Sequence, residues 1–263
     1  MKQTFSLRTY LITVFIFSWP FQIAGAIAAR SFTQRYICMS LSMIMVTVGT
    51  LVYARLILRD NLSELGWTWG RIRHHAYVLL LILVLWVAPL GLGLAMGAVS
   101  LSKDTSLSDL LPWAGYALLT MIPAFGEEFG WRGYMLKNMA EQYPNKRRAI
   151  FIHGVIWWLW HAPVIVAPAM DTYGTKGLSA VILTGFVLLV ASAGLSIFHG
   201  ILFAYIRVAS GSLAVVTLYH GLYDGARDSI LYNSNLQTSP FIYWPTSLLL
   251  LLGILAYFRT DWE

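Results

Sequence analysis

AYVLLLILVLWVAPLGLGLAMGAV, residues Ala76–Val99, is a run of 24 residues without a single charged side chain. At about 1.5 Å per helical residue it reaches ~36 Å, enough to cross a hydrocarbon layer of about 30 Å. A soluble domain rarely offers such a run, because a helix apolar on every side has no face for water. The stretch therefore reads as a membrane-crossing helix.

Working outward, seven further stretches have the same character: Thr9–Ala29, Tyr36–Leu58, Leu111–Met135, Ala149–Pro168, Leu178–Ile206, Ser212–Leu231 and Phe241–Phe258. The expected fold is an all-α, polytopic transmembrane helical bundle with about eight spans. Short connections and the absence of internal repeats make residues 1–263 a single integral-membrane domain. Composition agrees: 58% of residues are apolar and 11% charged, against roughly 45–50% and about 25% in soluble domains. A soluble enzyme, a disordered chain and a nucleic-acid binder are excluded, and membrane lipids become the expected surroundings. The single cysteine, Cys38, permits no intrachain disulfide and no cysteine-based zinc or iron–sulfur centre.

The net charge of +6 is explained by loop position, since Lys and Arg favour cytoplasmic loops. With eight spans and a cytoplasmic N-terminus, Lys2, Arg8, Arg55, Arg59, Arg71, Arg73, Lys137, Lys146, Arg147, Arg148, Arg207 and Arg259 fall inside. Arg30, Arg35, Lys103, Lys176 and Arg227 fall outside, twelve against five. Both termini are thus expected in the cytoplasm, most simply at the plasma membrane. A rival reading makes the first span a signal peptide ending at Ala24-Gly25-Ala26. Trp113 and Trp244 suit an outer interface, and the mixed stretch Asn61–His75, with Trp67 and Trp69, is expected to lie flat on the cytoplasmic surface.

Ionisable groups within spans cost about 2.5–3.5 kcal/mol each on insertion scales, so each is a functional candidate. Pro123-Ala-Phe-Gly126-Glu127-Glu128-Phe-Gly-Trp-Arg132 holds three of them, with a kink expected just before the carboxylates. Glu128 and Arg132 are four apart and share a face, while Glu127 points about 100° away. Arg132 can then neutralise Glu128 while Glu127 faces a cavity as a general base for water. The alternative is a purely structural network of both glutamates with Arg132. His161 follows Trp157 by four and precedes Pro163, and His220 and Asp224 again share a helical face. A lone buried histidine or His–Asp pair is often only structural. By helical rise, however, Glu127, His161, His220 and Asp224 lie about 14–20 Å from the cytoplasmic ends of their helices. Groups from three helices at one depth suggest one site. His153 and His199 are placed outside it, each about one turn from the cytoplasmic interface.

The set Glu127-Glu128-x-x-x-Arg132, Trp157-x-x-x-His161 and His220-x-x-x-Asp224, within residues 123–228, resembles the three motifs of the CAAX protease and bacteriocin-processing (CPBP, or Abi) intramembrane metalloproteases, related to the type II CAAX prenyl endopeptidases. Arg207-x-x-Ser210-Gly-Ser212-Leu213, ahead of His220, resembles the run before the family's last motif, and the resemblance covers roughly residues 110–230. It implies peptide-bond hydrolysis within the membrane by a glutamate-activated water. Glu127 would be the base, His161 would help hold the water, Glu128 and Arg132 would order the site, and His220 and Asp224 would stabilise the oxyanion or bind a metal. Many members carry Asn at the position of Asp224, and an ionised aspartate cannot donate to an oxyanion. Asp224 is therefore protonated, or orients His220, or ligates a metal. Glu127, His161 and His220 form a set able to hold a divalent metal such as zinc, although no His-Glu-x-x-His helix is present. The implied substrates are a prenylated CAAX-type protein, a bacteriocin or a peptide signal. The competing readings are a proton-coupled transporter, for which in-span Glu, His and Asp also serve, and a non-catalytic immunity or scaffold protein. Sequence leaves the oligomeric state open.

Overall fold

The computed structural model describes residues 4–29, 31–60, 62, 65, 67–102 and 110–262, with side chains for all of these but 32, 110–114 and 171–175. Helices dominate, and the described residues contain no strand beyond the isolated bridge Leu101–Ser234. Lys2, Arg30, Lys103 and the Trp113 side chain lie outside the described set.

Ser6 accepts the amide of Thr9 through its hydroxyl and starts α1, Leu7–Ile27; a serine oxygen satisfies one of the unpaired donors of a helix start. α2, Phe32–Val52, continues as a π-helical stretch over Tyr53–Leu58. α3 runs from Ile72 to Ala95 with a π-helical stretch at Leu83–Val87. α4 runs Leu110–Glu128, widens into a π-helix over Phe129–Met135 and ends as Leu136–Gln142. α5, Lys146–Trp160, is bent by 49° from the following short helix, α6, Ala162–Val166. α7 spans Tyr173–Ser210 around a non-helical Gly177, α8 Leu213–Asn233 and α9 Tyr243–Arg259.

Five described helices are long and apolar enough to cross a membrane, six if the bent pair is one span. The long helices outside that group, α4 and α8, are those that carry Glu127, Glu128, Arg132, Asp224, Arg227 and Asp228. The expected count of about eight is thus approximate, because polar groups lower the apolarity of helices enclosed by others.

The kink is expected in a stretch that stays helical past Pro123, and a π-helical stretch follows Glu128. Two expectations change. The span expected over Ala149–Pro168 is divided at His161, because Pro163 has no amide to continue the ladder and the His161 carbonyl instead takes the amides of Val164 (3.0 Å) and Ile165 (2.9 Å). The stretch expected to lie flat over Asn61–His75 also splits. The Leu65 and Thr68 carbonyls accept from Arg207 and Ser212 on the bundle, whereas His74 and His75 belong to the first turn of α3.

Two pairs of glycines set the helix spacing. A Cβ on Gly126 or Gly130 would fall 2.8 Å from Ile44 Cα or 2.5 Å from Val46 Cγ1, so α4 lies directly on α2. A Cβ on Gly221 or Gly225 would fall 2.6 Å from Met121 Cγ or 2.5 Å from Ala117 Cβ, so α8 lies directly on α4. Small residues four apart permit close approach of membrane helices, and both pairs adjoin the expected site residues.

The two ends of the bundle differ. At one, Phe5, Tyr10, Tyr53 and Tyr134 form a cluster of ring contacts, and Tyr10 donates to the Gly130 carbonyl at 2.9 Å. This end carries eleven of the twelve basic residues expected inside, Lys2 being the undescribed one. The opposite end holds Tyr36 tilted against Tyr116 with ring centroids 4.9 Å apart, together with Arg35, Lys176 and Arg227.

Candidate active site

Glu127 and Glu128 end the regular part of α4 and are both fully buried. Arg132, one turn later within the π-helical stretch, places Nη1 3.0 Å from Glu128 Oε1 and 3.8 Å from Glu127 Oε1. Its guanidinium carbon lies 4.4 Å from the Phe203 ring centre and 4.9 Å from that of Trp157. The cation is thus held between two aromatic faces, which replace part of the water it loses. A π-helical turn is rare and recurs at functional sites; here it sets the carboxylates against one buried guanidinium.

The two glutamates have different surroundings. Glu128 Oε1 also accepts His220 Nδ1–H at 2.7 Å. Glu127 Oε1 accepts the indole N–H of Trp157 at 2.6 Å. Glu127 Oε2 has no hydrogen-bond partner among the described residues. Glu127 lines a cavity of about 500 Å³, together with Trp157, His161, His199, His220 and Asp224, while Glu128 lies behind its wall.

His161 sits at the α5–α6 bend, and its Nδ1 lies 2.8 Å from the Trp157 carbonyl. A carbonyl can only accept, so Nδ1 carries the proton and Nε2 keeps its lone pair. The rings of Trp157 and Trp160 hold the imidazole edge-on, at 4.4 and 4.6 Å between centroids.

His220 and Asp224 project from α8. His220 Nε2 lies 3.3 Å from Asp224 Oδ2 and 3.9 Å from Glu127 Oε2. Asp224 Oδ1 takes Arg227 Nη1 at 2.8 Å, and Arg227 Nε in turn donates to Asp228 at 2.7 Å. Of the three roles open to Asp224, orientation of His220 by an ionised carboxylate is the one this pairing favours.

Glu127, Glu128, Arg132, His161, His220 and Asp224 therefore meet around one cavity or its rear wall. The expected metal set is revised. The described residues whose ligand atoms all fall within 4.8 Å of one another are Glu127, Glu128 and His220; His161 is not among them. His199, placed outside the site by sequence, is inside it. α7 extends to Ser210, so His199 lies eleven residues or about 16 Å from that end, level with the others, and its Nε2 is 3.0 Å from the Tyr219 hydroxyl. His153 is fully buried rather than solvated at an interface, with Nε2 3.1 Å from the Trp131 carbonyl. The indole donor of Trp157 and the role of Arg227 also escaped sequence reading. The four-residue step from Trp157 to His161 was the only available signal for the first.

A comparison with curated proteins found no match. A family model described as type II CAAX prenyl endopeptidase Rce1-like matches residues 109–226. The segment that supplies all six of the expected site residues is thus similar to the Rce1-like domain of type II CAAX prenyl endopeptidases.

Proposed function

We propose that this membrane protein is an endopeptidase in which Glu127 activates a water molecule against a peptide carbonyl. The observation that carries this reading is the state of one carboxylate. Glu127 is fully buried at the floor of a cavity, with Oε1 anchored by Trp157 and Oε2 uncommitted. An unpaired buried acceptor is costly; Glu128 Oε2 is likewise without a partner among the described residues, but of the two carboxylates Glu127 is the one that lines the cavity.

The steps follow from the donors and acceptors present. A water between Glu127 Oε2 and His161 Nε2 gives one proton to Glu127 as its oxygen bonds to the scissile carbonyl carbon. His220, steadied by Asp224 and Glu128, donates toward the oxygen that takes up negative charge, the role of an oxyanion donor. Glu127 then passes its proton to the amide nitrogen as the C–N bond breaks, which leaves a carboxylate and an amine. Arg132 offsets the paired glutamates so that two acids can share one buried site.

The donor set also fits a divalent cation. Glu127, Glu128 and His220 offer two carboxylates and an imidazole within 4.8 Å, and one oxygen of each glutamate lacks a hydrogen-bond partner among the described residues. Nitrogen and carboxylate donors of this kind suit zinc. Those three residues would hold the ion, which when bound supplies Lewis-acid polarisation and easier ionisation of water.

The test uses purified protein in detergent with a panel of farnesylated CAAX-type peptides and unmodified hydrophobic peptides. Wild type is expected to cleave a member of the panel, and Glu127→Gln to lose at least about 100-fold, within the range of general-base contributions. Equal rates in the two proteins would remove the proposal.

A further inference from the structure

The side from which a substrate reaches this cavity follows from where it opens and where it is sealed. From Glu127 the lining continues along the first half of α2 (Tyr36, Ser40), the first half of α4 (Tyr116) and the last part of α8 (Arg227, Asp228). Every one of these lies toward the same end of its helix bundle, where the Tyr116 hydroxyl bonds Asp228 at 3.1 Å. In the opposite direction every residue from Phe129 to Met135 is buried. Below them sits the cluster of Phe5, Tyr10, Tyr53 and Tyr134, so the floor is closed by packed rings.

The sealed end is also the basic end. Of the described Lys and Arg outside the site, eleven lie at the sealed end and three, Arg35, Lys176 and Arg227, at the open end. Arg227 is moreover neutralised by Asp224 and Asp228. Positive loops mark the cytoplasmic side, so the charge bias and the position of the mouth point to opposite faces of the membrane.

We infer that the cavity opens to the non-cytoplasmic face, and that its substrate is a peptide segment presented from that side rather than a lipid-modified protein tail in the cytosol. This rests on the hydrolytic reading above and narrows it. The two observations are independent, since the mouth is set by packing and the orientation by charge.

The test is cysteine labelling in the full-length chain with Cys38→Ser as background. Ser40→Cys lies in the cavity, Gln237→Cys in the exposed loop after α8, and Glu141→Cys at the exposed basic end. A membrane-impermeant maleimide added to right-side-out vesicles should modify Gln237→Cys and Ser40→Cys and spare Glu141→Cys. Inside-out vesicles should show only Glu141→Cys modified. Labelling of Ser40→Cys from the Glu141 side, or from neither side, overturns the inference. So does labelling of Gln237→Cys from the inside-out preparation. A peptide of the panel that wild type cleaves in detergent should also be cleaved when added to right-side-out vesicles, and not when added to inside-out vesicles. The reverse result overturns the inference. Absence of cleavage by wild type in detergent defeats the hydrolytic reading instead, and the labelling pattern then decides the access side by itself.

Discussion

At Glu127 one oxygen is tied to an indole N–H and the carboxylate lines the cavity, whereas Glu128, with Oε1 tied to both Arg132 and His220, does not line it. Trp157 therefore acts as a positioning residue. A hydrogen bond to a charged group is worth about 1.5–3 kcal/mol, so Trp157→Phe should lower kcat roughly 10–100-fold with little change in expression. Trp158→Phe, which removes only a bond to Ser192, should leave kcat alone; equal effects of the two would contradict the assignment. Arg132 poses a stability question. Removing one member of a buried ion pair costs about 3–5 kcal/mol because the partner charges stay behind. Arg132→Met should lower the melting temperature in detergent markedly, and Arg132→Lys should not restore it, since an ammonium cannot sit flat between Phe203 and Trp157. An unchanged melting temperature in Arg132→Met would refute this. The acidic pair, Arg132, His161 and the His220–Asp224 step were legible in the sequence because charges in apolar runs stand out. The partners of those groups were not. Nothing local says that Trp157 rather than Trp158 turns its N–H inward, or that His199 lies at the depth of the site.

Among the elements, α4 decides the most. It meets α2 through Gly126 and Gly130 and α8 through Gly221 and Gly225, and these contacts bring His220 within reach of the glutamates. Gly225→Val would drive a side chain into Ala117, where even a Cβ falls at 2.5 Å. Overpacking typically costs about 1–3 kcal/mol, so this variant should melt earlier and lose activity together. Gly91→Ala, at a position with nothing within 4 Å of the added Cβ, should do neither, and a comparable loss there would show that spacing is not the cause. Hydropathy found these helices and placed most ends within a few residues. It did not show the π-helical stretches in α2, α3 and α4, which leave the apolar pattern unchanged, nor that the fifth span bends at His161.

On the scale of the whole molecule, the segment matched by the family model does not stand alone. The cavity wall includes Tyr36 and Met43 of α2, and α1 reaches into the matched segment at three points. Tyr10 donates to the Gly130 carbonyl, Trp19 to the Trp160 carbonyl, and Ser18 accepts the Trp160 indole at 2.8 Å. A helix tied in this way packs as part of the bundle. Deletion of residues 4–28 should therefore abolish the monodisperse peak in detergent gel filtration, while Cys38→Ser, which changes one half-buried thiol without a partner cysteine, should elute as wild type. A folded, active deletion variant would contradict the integration of α1.

The central claim is that Glu127 acts on water and does not itself attack the substrate. A single turnover in ¹⁸O-water, quenched at successive times and followed by mass spectrometry of both the product and the Glu127-containing peptide, separates these. Water attack predicts one heavy oxygen in the new carboxyl terminus of the product and a Glu127 that is unlabelled and carries no peptide adduct at any time; label in the Glu127 carboxylate, or an acyl adduct on it, would show a covalent intermediate and contradict the claim.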